Sequence, residues 1–328
     1  MNEVRRTKKR HYALWLFFVA TVVATVVVVL NRGWIYDFYR GMSYQPTAEM
    51  SEIKERLNLT SRGAFVFDAT WPELKSQDEF NLHCRTSDMG AAILGCYTEG
   101  NIYVYNIEDE ELNGIRELTT AHELLHAVYA RMSDGEKEKL EPVLKRVYEA
   151  NLDTLEADVS TYGESEKLEE IYVRAGTEIK KLPDVLEQNY AEIFANQDNV
   201  VDFYESYIAV FKEVEAKMEA LGDELTTMKA GLEATIVEYE RRFAQLNADI
   251  VSFNSCADVA GCFKTEEEFE ARRQQIVDEH DALNAMYNEL NDLIEIYNVK
   301  VEEYNSNAMR GRELNRIINS SAKPDGVN

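Results

Sequence analysis

Two stretches of similar length, each keeping an apolar residue every three or four positions, limit what the last third of this chain can fold into. Val214, Met218, Leu221, Leu225, Met228, Leu232, Tyr239, Phe243, Leu246, Ile250 and Phe253 form the first seam, with one weak step at Thr235. The second places Phe269, Ile276, Leu283, Leu290, Tyr297 and Tyr304 seven apart, and Tyr287, Ile294 and Val301 fill the intermediate positions. Such spacing puts one stripe on one side of a helix. Each arm is about 50 residues, or roughly 75 Å at the helical rise. The segment between them breaks the repeat and holds Cys256 and Cys262. The expected structure is an antiparallel coiled-coil hairpin over residues 200–318, its tip clamped by a disulfide. Asn284, Asn291, Asn298 and Asn305 also recur at seven beside the seam, where interhelical hydrogen bonds would fix register.

The N-terminus carries a different constraint. Arg5, Arg6, Lys8, Lys9 and Arg10 precede Ala13–Leu30, a run without a charge. Eighteen residues span roughly 27 Å as a helix, close to the hydrocarbon thickness of a bilayer. Tyr12 and Trp15 at one end, and Trp34 and Tyr36 at the other, suit the two interfaces, and the basic cluster places residues 1–11 in the cytoplasm. Residues 12–34 therefore read as a single-pass signal anchor in the cell membrane, with the rest of the chain outside. No small-x-small cleavage site follows the run.

The cysteines agree with an extracytoplasmic location. Cys84 with Cys96 and Cys256 with Cys262 form two close couples without the C-x-x-C spacing of a metal ribbon, and outside the membrane such couples read as disulfides. The formal charge of −25 repels phosphate backbones and excludes nucleic acid as a partner.

Between anchor and hairpin, residues 35–62 read as a stalk with a short helix and residues 63–199 as a folded domain of their own. Within it GAFVFDAT, Gly63 to Thr70, has the bulk and alternation of a strand. AAILGCY and NIYVYNI (Asn101 to Ile107), separated by TEGN, read as a hairpin. From Gly114 the pattern becomes helical, with Gly135 near its stop. Residues 319–328 read as a flexible tail.

His122, Glu123, Leu124, Leu125 and His126 make H-E-x-x-H inside that helical segment. Positions i and i+4 share a helix face, so both imidazoles reach one ion while Glu123 sits beside a metal-bound water. Zinc brings that water towards a pKa of ~7, and a neighbouring carboxylate takes its proton as it attacks an amide carbonyl. His11, His83 and His280 lie in the basic segment, beside a cysteine and in the coiled-coil seam, and are not assigned to the metal.

TTAHELLHAVY, followed some fifty residues later by a glutamate-bearing helix, resembles the gluzincin peptidases, in particular the small membrane-attached bacterial type. The resemblance spans about residues 63–195, and the absence of an H-x-x-G-x-x-H extension after His126 separates the chain from the metzincin branch. It implies an extracytoplasmic endopeptidase with one Zn²⁺ per chain, a glutamate as third ligand, and a polypeptide substrate added as a strand at an edge beside the active-site helix, where Asn101 to Ile107 is well placed. In the segment Glu164 to Leu182 an apolar stripe runs through Leu168, Ile171, Ala175, Ile179 and Leu182. At about 100° per residue Glu178 lies about 60° from its centre, and Glu169 and Glu170 about 120° and 140° away. Glu178 is thus the first candidate for the third ligand and Glu170 the second. Tyr129, Tyr172 and Tyr190 are the candidate oxyanion donors.

The expected fold is mainly α with a small antiparallel β-sheet, a zincin-like unit followed by the helical hairpin. Two functions compete: a membrane-anchored zinc endopeptidase using Glu123 as base, or a membrane-tethered coiled-coil scaffold with a structural or inactive metal site. In either, the hairpin offers a face for a protein partner or for self-association.

Overall fold

The structure is a computed structural model and describes residues 2–84, 93–159 and 162–320. It is mostly helical and divides into two compact units, residues 1–210 with 316–328, and residues 211–315.

The first unit opens with α1 (Asn2–Leu30) and α2 (Arg32–Ser43), bent by 69° at Asn31. From Trp15 to Leu30 the apolar side chains are exposed around the whole helix circumference. Among the described residues no single helix is long and apolar enough to cross a membrane, although Trp15–Leu30 and Arg32–Ser43 reach that length and apolar content as a bent pair.

The expected stalk contributes to the core. In α3 (Ala48–Arg56), started by the Thr47 hydroxyl accepting from Met50 N–H, Met50 and Ile53 are fully buried, as is Leu57 at its end. Gly63 to Thr70 is not a strand but α4 (Ser61–Ala69). The Thr60 side chain caps it by accepting from Gly63 N–H, and Gly63, Val66 and Phe67 bury one face at the i, i+3, i+4 spacing of a helix. Bulky residues suggested extension; the cap and that spacing decide for helix.

The sheet is mixed rather than antiparallel. β2 (Gly95–Thr98) and β3 (Asn101–Tyr105) form the expected hairpin across a turn with Glu99 and Gly100 at positive φ. A third strand, β1 (Glu73–Lys75), lies parallel on the other side of β3, giving the order β1-β3-β2. β3 is therefore central, with both edges paired, and cannot accept a further strand; β2 is the edge strand that packs against the next helix. The short helix α5 (Gln77–His83) covers β3, and the disulfide Cys84–Cys96 ties its end to β2.

α6 (Ile115–Ala130) carries the H-E-x-x-H sequence and packs on β2, β3 and α9 (Glu164–Glu178). α7 (Asp134–Ala150), α8 (Leu152–Val159) and α10 (Asp184–Ala191) complete the shell around α9. One core joins Leu124, Leu125 and Val128 of α6 to Ile171, Tyr172 and Ala175 of α9 and to Tyr190.

The second unit consists of most of α11 (Gln197–Ala257) and α12 (Glu266–Ile318), a long helix pair. Their contacts run in opposite directions along the two chains: Glu213 with Arg310, Glu224 with Lys300, Tyr239 with Tyr287, Arg242 with Glu279, Phe253 with Phe269. Leu221, Leu246, Leu283 and Leu290 are buried along the seam. Cys256–Cys262 closes the tip. The asparagine row does not bridge the helices: Asn291 donates to the Tyr287 carbonyl and Asn284 meets His280, both on its own helix. Interhelical ion pairs mark the register instead.

Candidate metal centre

His122 and His126 stand one turn apart on the face of α6 that meets α9, with ring centroids 5.0 Å apart. Opposite them lies Glu170. Its Oε1 is 3.8 Å from His122 Nε2 and its Oε2 is 3.5 Å from His126 Nε2. One donor atom from each of the three residues falls within 4.8 Å of the others. Bonds of about 2.0–2.1 Å in a tetrahedron separate ligand atoms by about 3.3–3.4 Å, so these side chains fit a single ion after small adjustments.

Glu178 is elsewhere. Its Oε1 accepts from Arg174 Nη1 at 2.8 Å, while Arg174 Nε donates to Glu170 Oε1 at 2.7 Å. The structure thus brings Glu170, the second candidate, to the histidines and leaves Glu178, the first, on the far side of Arg174. Two features of α9 turn Glu170 rather than Glu178 to the histidines' side. Helix α9 ends at Glu178 with Ile179 extended, so Ile179 and Leu182 do not share its stripe. From Glu170 to Val173 and from Ala175 to Thr177 it is buried on nearly every side, so no single apolar face identifies the inward glutamate.

Glu169, which sequence reasoning set aside, also joins the site. Its Oε1 is 2.8 Å from His126 Nδ1, so Nδ1–H donates to the carboxylate and Nε2 is left toward Glu170. A consecutive Glu-Glu pair facing a histidine pair was its only trace in the sequence.

The electrostatics follow from burial and from these partners. Burial pushes His122 down to about 3, favouring the neutral imidazole. For His126, burial opposes the charge, but the hydrogen bonds its ring N–H groups donate to Glu169 and Glu170 outweigh it and raise the group to about 10. Glu170 is likewise opposed by burial, yet His126, His122 and Arg174 hold it well below the ordinary carboxylate range.

Glu123 points to the sheet side of the same helix. It is 6% exposed, and its carboxylate accepts from Tyr97 N–H on β2. Burial raises it to about 7, with Glu170 adding to the rise. The space beside it is set by Gly95: a Cβ there would lie 2.8 Å from Glu123 Oε1 and 2.6 Å from Thr119 Cγ2. Gly176 plays the same part between α6 and α9, where a Cβ would come within 2.5 Å of Leu125 Cδ1 and 2.7 Å of Tyr190 Cε1.

Two of the three candidate tyrosines have their hydroxyls engaged within the core. Tyr172 and Tyr190 are fully buried, with their hydroxyls donating to Asn189 Oδ1 and to the Tyr172 carbonyl. Tyr129 is 6% exposed, its ring tilted against that of Tyr172 with Lys137 over its face. His83 stacks on Tyr103 and His280 lies beside Asp281, both apart from the cluster; the side chain of His11 is outside the described residues.

What the arrangement offers is two imidazoles and a carboxylate aimed at one point, a guanidinium and a carboxylate that hold two of them, and a buried carboxyl titrating near neutrality beside an edge strand. Compared with family models, curated proteins and solved structures, the chain matches none.

Proposed function

We propose that this chain is a membrane-anchored, zinc-dependent peptidase acting on polypeptide outside the cell membrane, with the gluzincin-like arrangement His122, His126 and Glu170 as ligands and Glu123 as base. The convergence of these three side chains next to the buried Glu123 carries the reading. Two nitrogens and one carboxylate oxygen leave the fourth position open, the pattern of catalytic rather than structural zinc. When bound, the ion supplies an acidified water and a positive charge for the carbonyl oxygen of the scissile bond.

The chain's own residues account for the rest. Glu123, with a carboxyl near neutrality in its free site, takes a proton from the attacking water at its carboxylate and passes it to the leaving nitrogen. Tyr97 N–H restrains that carboxylate, Glu169 fixes the tautomer of His126, and Arg174 steadies Glu170. β2 is the sheet edge beside α6, and polypeptide aligned along it would pass Glu123.

The apolar helix surface at Trp15–Leu30, preceded by the basic segment, supports a single-pass anchor with the N-terminus cytoplasmic. The two disulfides support an extracytoplasmic location for the rest.

One observation favours a second role for residues 211–315. Val237, Phe243, Val251, Ile296 and Val299 are about half exposed or more on the long helix pair. We read the pair as a coiled-coil hairpin that presents a face to a protein partner or to a second copy, alongside the peptidase or, in the scaffold alternative, instead of it.

Metal analysis of the purified full chain, with hydrolysis of a denatured protein assayed before and after chelation, tests the proposal. One zinc per chain and chelator-sensitive cleavage are expected; a metal-free chain that zinc does not activate would leave the scaffold.

A further inference from the structure

Helix α2 is amphipathic in the reverse sense. The residues it turns towards the protein are Asp37, Arg40 and Gly41, the less exposed positions of the helix. Asp37 receives a two-pronged ion pair from Arg131, with Nε–Oδ2 at 2.8 Å and Nη2–Oδ1 at 3.0 Å. Arg40 donates to Asn101 Oδ1 and lies over the Trp71 ring, whose Nε1–H donates to the Arg40 carbonyl. Gly41 allows close approach to α4, since a Cβ there would already touch Asp68 Cβ at 3.5 Å. The side that faces away from the protein holds Ile35, Phe38, Tyr39 and Met42, the last two exposed by 72% and 74%. A helix in water buries its apolar side and exposes its charges; this one does the opposite, with no covering element among the described residues.

We propose that α2 lies in the lipid–water interface and seats the first unit directly on the bilayer. The inference rests on the anchor reading of α1. The chain enters α2 from the uncharged run with only Asn31 between, so the outward side of α2 continues the lipid-facing surface of α1. The bend has the required size. If α1 stands along the membrane normal, a helix turned by 69° from it lies within about 20° of the membrane plane. Its composition fits the depth: Tyr36 and Tyr39 are residues of the interfacial belt, Trp34 is 59% exposed although its ring also stacks on Phe65 of α4, and Arg32 at its start suits lipid phosphates.

The clamp extends this seating to the candidate site. Arg131, which holds Asp37, follows the end of α6 and also donates to Tyr97 Oη at 3.0 Å. Tyr97 in turn donates its N–H to Glu123. The interfacial helix is thus joined through Arg131 and Tyr97 to the catalytic carboxyl, and the helix that carries His122 and His126 is held at the membrane surface.

The test uses the full chain in vesicles of phosphatidylethanolamine and phosphatidylglycerol. All four cysteines are in disulfides, so one introduced cysteine takes a nitroxide label specifically. Val23→Cys reports α1, Tyr39→Cys reports α2, and Glu138→Cys, on the exposed side of α7, reports water. Collision rates with a water-soluble nickel chelate and with oxygen are read for each; Met42→Cys repeats the α2 measurement should Tyr39→Cys misfold. The label at Tyr39 is expected to meet nickel at least about fivefold less often than that at Glu138, at a depth shallower than Val23. A Tyr39 label as open to nickel as Glu138, with Val23 deep in lipid, overturns the α2 inference and leaves the anchor standing. Nickel access at both Tyr39 and Val23 overturns both.

Discussion

His126 Nδ1 lies 2.8 Å from Oε1 of Glu169, the residue immediately before the carboxylate that meets both histidines. Adjacent residues on a helix point about 100° apart. One glutamate can therefore face both histidines while its neighbour reaches round the imidazole to its other nitrogen, so a single turn of α9 supplies both the carboxylate of the cluster and the group that orients His126.

Replacing Glu169 by Gln keeps the shape but removes the charge behind His126. Zinc affinity, measured by competition with a chromogenic chelator, is expected to fall by about 10–100-fold with the fold intact by circular dichroism. An unchanged affinity would reduce Glu169 to a surface partner.

The same contact couples metal binding to protons. Without metal, His126 is raised from 6.5 to about 10. Its charged form therefore adds stability that is fully present below pH 6.5 and is lost as the pH rises through about 10. Glu123, raised from 4.5 to about 7, acts in the same direction at lower pH: stability falls as the pH rises from 4.5 through 7. A metal ligand must be a neutral imidazole. Zinc binding at pH 7 is thus expected to release about one proton, read from calorimetry in buffers of different ionisation enthalpy. A buffer-independent heat would show that His126 is already neutral.

The parts of the fold set by local pattern were readable in the sequence. The helix through His122–His126, the long helix pair, the β2–β3 hairpin and both disulfides each depend on residues close in the chain or on a sustained repeat. What failed depends on distant partners. β1 is three residues long, and its parallel pairing moves β3 from edge to centre. Gly63–Ala69 carries strand-like bulk, and its Thr60 cap was the overlooked helical signal. The choice between Glu170 and Glu178 required knowing that α9 is enclosed on several sides and stops at Glu178, which follows from the packing of α6, α7 and α8 around it.

Gly176 sets the distance between α6 and α9. Gly176→Ala forces a methyl group against Leu125 and Tyr190 and is expected to cost about 1–3 kcal/mol in denaturant unfolding. Gly231→Ala, on α11 with open space around it, is expected to be neutral or to stabilise by up to about 1 kcal/mol. Equal effects at the two sites would mean that the α6–α9 contact is looser than described.

The decisive measurement pairs zinc content with peptide hydrolysis in three variants of the full chain. Glu170→Ala is expected to lose zinc and activity, since two imidazoles remain. Glu178→Ala, whose carboxylate meets Arg174, is expected to retain zinc. Glu123→Gln is expected to keep a full zinc ion while hydrolysis falls by at least about a hundredfold. Hydrolysis unaffected by Glu123→Gln, or zinc kept by Glu170→Ala and lost from Glu178→Ala, would contradict the centre described.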